Sequence, residues 1–113
     1  MIFHVPRKDT QTLILKIDNI NIEQVDEFNF LGLTLDANLT WKKHVNKIAN
    51  KCSKTTGVLN KLKYVLPLDT KTLLYNSLIL SHINYCITVW GYKGCRILRI
   101  QKKAVRIISL NHF

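Results

Sequence analysis

Arg96, Arg99, Lys103 and Arg106 recur at three- and four-residue spacing near the end of the sequence, with Lys102 beside them. On a helix that spacing stacks side chains into one stripe. Ile97, Ile100, Ala104 and Ile107, widened by Leu98, Val105 and Ile108, form the opposite, apolar face. A solvated helix usually carries charges of both signs, but this one has no acid at all. A row of guanidinium and ammonium groups without counter-charges suits the neutralisation of phosphates better than simple solvation. A second cationic set, Lys42, Lys43, Lys47 and Lys51, continues through Lys54, Lys61 and Lys63.

The rest of the charge is distributed to match. Residues 1–39 hold three basic residues against six acidic ones, a net of −3, whereas residues 40–113 hold fourteen against Asp69 alone, a net of +13. Such asymmetry calls for a polyanionic partner of the second part. Nucleic acid is the commonest one, and an anionic membrane surface is its competitor.

Catalytic constellations do not emerge. Metal-dependent polymerases and nucleases need converging carboxylates. The basic region has only Asp69, expected to cap a helix, and Asp26-Glu27 is the sole adjacent acidic pair. Neighbouring residues of a strand point to opposite faces, so that pair reads as a solvated loop. His82, Cys86 and Cys95 invite a zinc reading, the first two standing four apart, but there is no Cys-x-x-Cys, and a fourth ligand would have to be His44 or Cys52. No glycine-rich phosphate loop or nucleophile elbow occurs. The sequence therefore implies no catalytic residue, no metal and no cofactor.

Positioning the cations falls to elements of two kinds. Residues 1–39 read as strands: "MIFHV", then "TLILKID" with Leu13, Leu15 and Ile17 alternating, then "INIEQV" beyond the turn-prone Asp18-Asn19. "FNFLGLTLD" alternates Leu31, Leu33 and Leu35 as a further strand, interrupted at Gly32 by a bulge or a close backbone approach. Residues 40–113 read as helices near 41–66, 70–90 and 96–109. Thr40 is the expected cap of the first, Gly57 its weak point and Pro67 its end. The fold class is α+β: a small antiparallel β-unit followed by a three-helix bundle.

Residues 72–92 contain no Asp, Glu, Lys or Arg. Ser77, Ser81, Asn84 and Thr88 nevertheless recur as a polar stripe that lipid would disfavour, so the segment reads as a well-buried helix and not a membrane span. Cys52 and Cys86 fall on apolar faces as small core residues. The three cysteines cannot all pair within the chain, and "MIFHVPRKDT" has no apolar stretch of signal-peptide length. Reduced thiols in the cytoplasm or nucleus, without secretion, are the expectation.

Several spaced elements together resemble the reverse transcriptases of non-LTR retrotransposons of the jockey type. They are Phe30-Leu31-Gly32, then Leu39-Thr40-Trp41 with His44, then Leu74-Tyr75-Asn76-Ser77-Leu78, then Trp90-Gly91, then Gln101-Lys102-Lys103-Ala104. The resemblance runs from about Met1 to Leu110, and its elements keep their order.

The resemblance implies that residues 1–39 end a polymerase palm. Phe30, Leu31 and Gly32 would form the primer grip, a hairpin holding the 3′ end of the growing strand. It implies that residues 40–113 are thumb-like, clasping a template–primer duplex. The family's metal-binding aspartates, on a Tyr/Phe-x-Asp-Asp hairpin, precede anything in this sequence. Mg²⁺ would therefore belong to the missing catalytic palm. The expected partners are an RNA or DNA template–primer duplex and the remainder of the polymerase. A free-standing basic nucleic-acid-binding module is the alternative, and a membrane-peripheral or partner-binding helical protein is a third reading.

Overall fold

The computed structural model describes residues 1–5 and 13–110. It is α+β, with two small antiparallel two-stranded sheets followed by helices. The chain divides into two compact units, Met1–His44 and Val45–Phe113.

In the first unit, β1 (Lys16–Ile17) pairs with β2 (Ile20–Asn21) through Asp18-Asn19. Both turn residues have positive φ, 48° and 62°. This is the geometry that matches strand twist in a two-residue hairpin and that short polar side chains tolerate. The expected hairpin is present but short. The sequence reading of "TLILKID" begins at Thr12, outside the described residues, and Leu13 and Leu15 lie before the strand. Residues 1–5 form no strand either, although the His4 N–H donates to the Ala37 carbonyl at 3.1 Å.

The second sheet corrects the reading of "FNFLGLTLD". It is not one strand with a bulge. β3 (Glu27–Phe30) and β4 (Leu33–Asp36) form a hairpin in register, Phe30 opposite Leu33 and Glu27 opposite Asp36. Leu31 and Gly32 are its two turn residues, at φ 48° and 83°. Alternation across Gly32 survives a two-residue turn, which is why the sequence pattern looked continuous. Asn29 and Thr34 meet across the strands, the Thr34 hydroxyl donating to Asn29 Oδ1 at 2.8 Å.

The chain then reaches α1 (Lys42–Leu62) through two further positive-φ residues, Leu39 at 50° and Trp41 at 60°. Each costs about 1–2 kcal/mol for a side chain of this size. Burial of Trp41 and the bonds that Asp36 makes to this loop offset that cost. The helix begins at Lys42, which puts Trp41 and not Thr40 at its cap position, and the Thr40 hydroxyl donates to the Asp36 carboxylate. Within this unit the Thr34 N–H donates to Nδ1 of the buried His44 at 3.2 Å.

In the second unit, α1 turns Val45, Ile48, Cys52 and Leu59 inward and continues through Gly57. It ends at Leu62, four residues before the expected end, and Leu62 and Leu66 are only partly covered. Pro67, at φ −65° and ψ 160°, opens α2 (Leu68–Tyr75). Asp69 thus lies inside the first turn and makes no capping bond, contrary to the expectation.

The predicted helix 70–90 is broken. A wide-turned stretch, Asn76–Leu80, continues α2 into α3 (Ser81–Asn84), where the Ser77 hydroxyl donates to the Leu73 carbonyl at 2.7 Å and Ser81 donates to Ser77. Cys86 then takes φ 51° and starts α4 (Ile87–Trp90). The break delivers Trp90 into the core with no exposure, its indole N–H donating to the Tyr85 carbonyl at 3.0 Å. Cys86 is only half-buried at this corner, unlike Cys52. The segment is also not well buried: Ile79, Ile83 and Trp90 face inward, whereas Leu73, Leu78, Val89 and Tyr92 are exposed. No helix among the described residues is long and apolar enough to cross a membrane. A 3₁₀ turn, Gly91–Lys93, leads into α5 (Cys95–Ser109), close to its predicted span.

Candidate nucleic-acid interface

α5 is amphipathic as its spacing requires. Ile97, Ala104 and Ile107 are buried and Ile100 is half-buried, while Arg96, Arg99, Lys102, Lys103 and Arg106 are exposed. The cations occupy one continuous sector of the helix: Arg99 and Arg106, seven residues apart, lie nearly in line, with Arg96 and Lys103 toward one edge and Lys102 toward the other.

On one flank, α5 lies beside α1. Arg96 Nη1 donates to Asn46 Oδ1 at 2.8 Å. Farther along, Arg99, Ile100 and Lys103 form one wall of a groove of about 240 Å³, and Ser53, Thr56 and Gly57 form the other. The two contacts advance together along both helices, so the Arg99–Lys103 pair lies above a seam between them. At the other edge of that sector, Lys102 and Arg106 border a shallow, mostly apolar hollow with Leu98, Gln101 and Val105. Gln101 also donates to the Tyr75 hydroxyl at 2.9 Å, which ties α5 to α2.

On α1, Lys47, Lys51 and Lys54 follow at four- and three-residue spacing, and all are exposed. At 100° per residue they point away from the buried Val45–Ile48–Cys52 face. The second unit therefore presents lysines on the outer side of α1, and arginine and lysine along α5. Among its described residues only Asp69 is acidic.

The remaining predicted residues belong to the first unit. Phe30 ends β3 with half its surface exposed, and Leu31 at the turn is 74% exposed. Gly32 is exposed beside it. An apolar, outward hairpin tip is therefore real. Lys42 is exposed at the start of α1, whereas Lys43 forms an ion pair with Glu27. Both partners are well exposed, so the pair contributes about 0–1 kcal/mol of stability. It does, however, oppose the Lys43 charge toward any polyanion.

Asp36 sits beside the loop that leads into α1 and accepts hydrogen bonds from it. Partial burial alone would push its carboxyl up, but the Thr40 hydroxyl and the N–H groups of Thr40 and Trp41 outweigh this and hold it below its ordinary value. Asp26, Glu27, Asp36 and His4 border one polar hollow in this unit. Even so, no group of three or more His, Cys, Asp or Glu among the described residues is arranged to hold a metal ion. The Cys52 thiol is pushed up by burial. All three cysteines are free thiols.

The chain is similar to the probable RNA-directed DNA polymerase of transposon X-element from Drosophila melanogaster, with 29% identity over 102 residues. That match covers 82% of this chain and 11% of the polymerase. The chain is thus distantly related to a short stretch of a transposon polymerase. No family model matches it, and no solved structure matches it.

The sequence reading missed the α1 side of the groove. Asn46, Ser53 and Gly57 recur at seven and four residues, a small and polar line next to the buried face. That periodicity was visible, but it marks a helix flank and does not reveal which helix lies beside it. Gly57 was legible only as a weak point. Lys71, buried on α2, carried no signal because its neighbours in sequence are polar and ordinary.

Proposed function

We propose that this chain is a stretch of a jockey-type retrotransposon reverse transcriptase that holds a template–primer duplex by its phosphates and has no catalytic centre of its own. The observation that carries the proposal is α5, a helix with five exposed cations and no acid on a well-packed apolar back. The relationship to a transposon RNA-directed DNA polymerase supplies the natural partner. Helices 40–113 then act as the thumb. Phe30, Leu31 and Gly32 act as the primer grip, where an exposed apolar tip on a tight turn can approach a nucleotide closely. Exposed Ile14, Ile17 and Ile20 suit strands that pack on the rest of a palm, since an isolated two-stranded hairpin is marginal in water.

The test is binding of a labelled RNA–DNA hybrid across a salt series. Affinity independent of base sequence and falling steeply with salt is the expected result, because phosphate contacts release counterions. Binding that is absent at low salt, or insensitive to salt, rejects the proposal. A free-standing nucleic-acid module predicts the same titration. An open reading frame upstream of Met1 that encodes a Tyr/Phe-x-Asp-Asp hairpin separates the two readings in favour of the polymerase.

A further inference from the structure

We infer that the groove between α1 and α5 is a seat for one backbone phosphate of the bound nucleic acid. The inference rests on the duplex-holding reading above and names the place where a strand is gripped. Arg99 and Lys103 stand on one wall of the groove, and Ser53 and Gly57 on the other. Arg99 offers a planar fork of donors, Lys103 a compact ammonium and Ser53 a rotatable hydroxyl, a donor set that complements a phosphodiester. At about 240 Å³ the groove is large enough to admit a phosphate group.

Gly57 sets the depth of the seat. A glycine inside an exposed helix lowers helix stability, and at Gly57 neither a turn nor a crowded neighbour requires one. A Cβ built there meets nothing within 4 Å. The fold therefore has no steric need for the missing side chain, but the groove does. Any longer side chain at this position projects into the space opposite Arg99 and Lys103. The bare helix leaves the wall opposite Arg99 and Lys103 open to an approaching phosphate.

The experiment compares five versions of the full chain in salt titrations with a labelled RNA–DNA hybrid: wild type, Gly57→Ala, Gly57→Leu, Arg99→Gln with Lys103→Gln, and the last combined with Gly57→Leu. Circular dichroism melts accompany each. Gly57→Ala and Gly57→Leu should melt at or above wild type, because both residues favour helix and a Cβ at this position meets nothing within 4 Å. Gly57→Ala should keep the wild-type salt slope. Gly57→Leu should bind about tenfold more weakly. Its plot of log K against log salt should flatten by about one unit, the loss of one phosphate contact. Adding Gly57→Leu to the Arg99→Gln, Lys103→Gln protein should cause no further loss. If Gly57→Leu fails to fold, Ser53→Leu fills the opposite end of the same wall and reads the same outcome. Wild-type affinity and slope in a folded groove-filling variant, beside a loss in the Arg99→Gln, Lys103→Gln protein, would overturn the seat and leave the duplex-holding function standing. No loss in either protein would likewise overturn the seat, and a wild type that fails to bind the hybrid in a salt-dependent way would overturn both.

Discussion

Asp36, at the end of β4, reaches four residues forward and accepts hydrogen bonds from both the backbone N–H and the hydroxyl of Thr40, the N–H at 2.8 Å. One carboxylate thereby braces a loop in which Leu39 and Trp41 both hold positive φ. Its carboxyl is held below its ordinary value because these bonds favour the charged form more than partial burial opposes it. A group whose folded value is lowered contributes stability above its unfolded value, and that contribution fades as pH falls through the folded one.

The first prediction follows from that sign. The first unit should keep its full stability above about pH 5 and lose part of it as pH falls below about 4, where an unfolded aspartate takes up its proton. Asp36→Asn should remove most of this acid sensitivity and lower stability at neutral pH by about 1–2 kcal/mol. Thermal melts of both proteins between pH 3 and 7 provide the check. Parallel pH profiles would show that Asp36 does not brace the loop.

The β3–β4 turn supplies the second. Gly32 at φ 83° and Leu31 at φ 48° occupy positions that suit Asn-Gly. Gly32→Val should therefore destabilise the hairpin by about 1–2 kcal/mol. Leu31→Asn should stabilise it while removing the apolar tip. In a reconstituted full-length polymerase, Leu31→Asn should impair primer extension although it folds better than wild type. Unimpaired extension would show that the tip has no primer-holding role and that Leu31 serves only the turn.

Trp90 gives the third. It is fully buried after a chain break that neither proline nor glycine announces, and its indole N–H is bonded to Tyr85. Trp90→Phe should keep most of the packing and cost about 1–2 kcal/mol through the lost bond and the smaller ring. Trp90→Ala should cost about 3–5 kcal/mol. Denaturant titration of the full chain measures both. Equal, small losses would mean that the core does not depend on this residue.

These elements also show what the sequence could reveal. Hydrophobic periodicity located α1 and α5 closely, because Val45–Leu59 and Ile97–Ile107 each bury one continuous face. Asp18-Asn19 announced its hairpin through residue types that accept positive φ. Leu31, Leu39, Trp41 and Cys86 take positive φ against their own preference, so the β3–β4 turn, the entry to α1 and the break before α4 were invisible to residue propensity. The family resemblance had implied a hairpin at Phe30-Leu31-Gly32 where the residue pattern indicated a strand. In the candidate interface, the cations were legible because their spacing is local. What borders each edge of their sector depends on what lies beside α5, which local spacing cannot encode.

The last prediction separates cations already engaged with the protein from those available to a partner. Arg96 gives a guanidinium N–H to Asn46, and Lys43 is paired with Glu27. Arg99 and Lys103 face a groove. If the duplex reading holds, Arg99→Gln with Lys103→Gln should flatten the salt slope by about one to two units at unchanged helix content. Arg96→Gln should change the slope less, and its main effect should be looser packing of α5 on α1, seen as a lower melting temperature. Glu27→Gln should strengthen binding modestly at low salt, because it removes an acid beside Lys43, and the gain should vanish at high salt as screening takes over. The ordering of the three slopes is the decisive result. A double substitution of Arg99 and Lys103 that flattens the slope by only twice the effect of Arg96→Gln, an equal loss per charge removed, would mean that the groove contributes nothing beyond bulk positive charge.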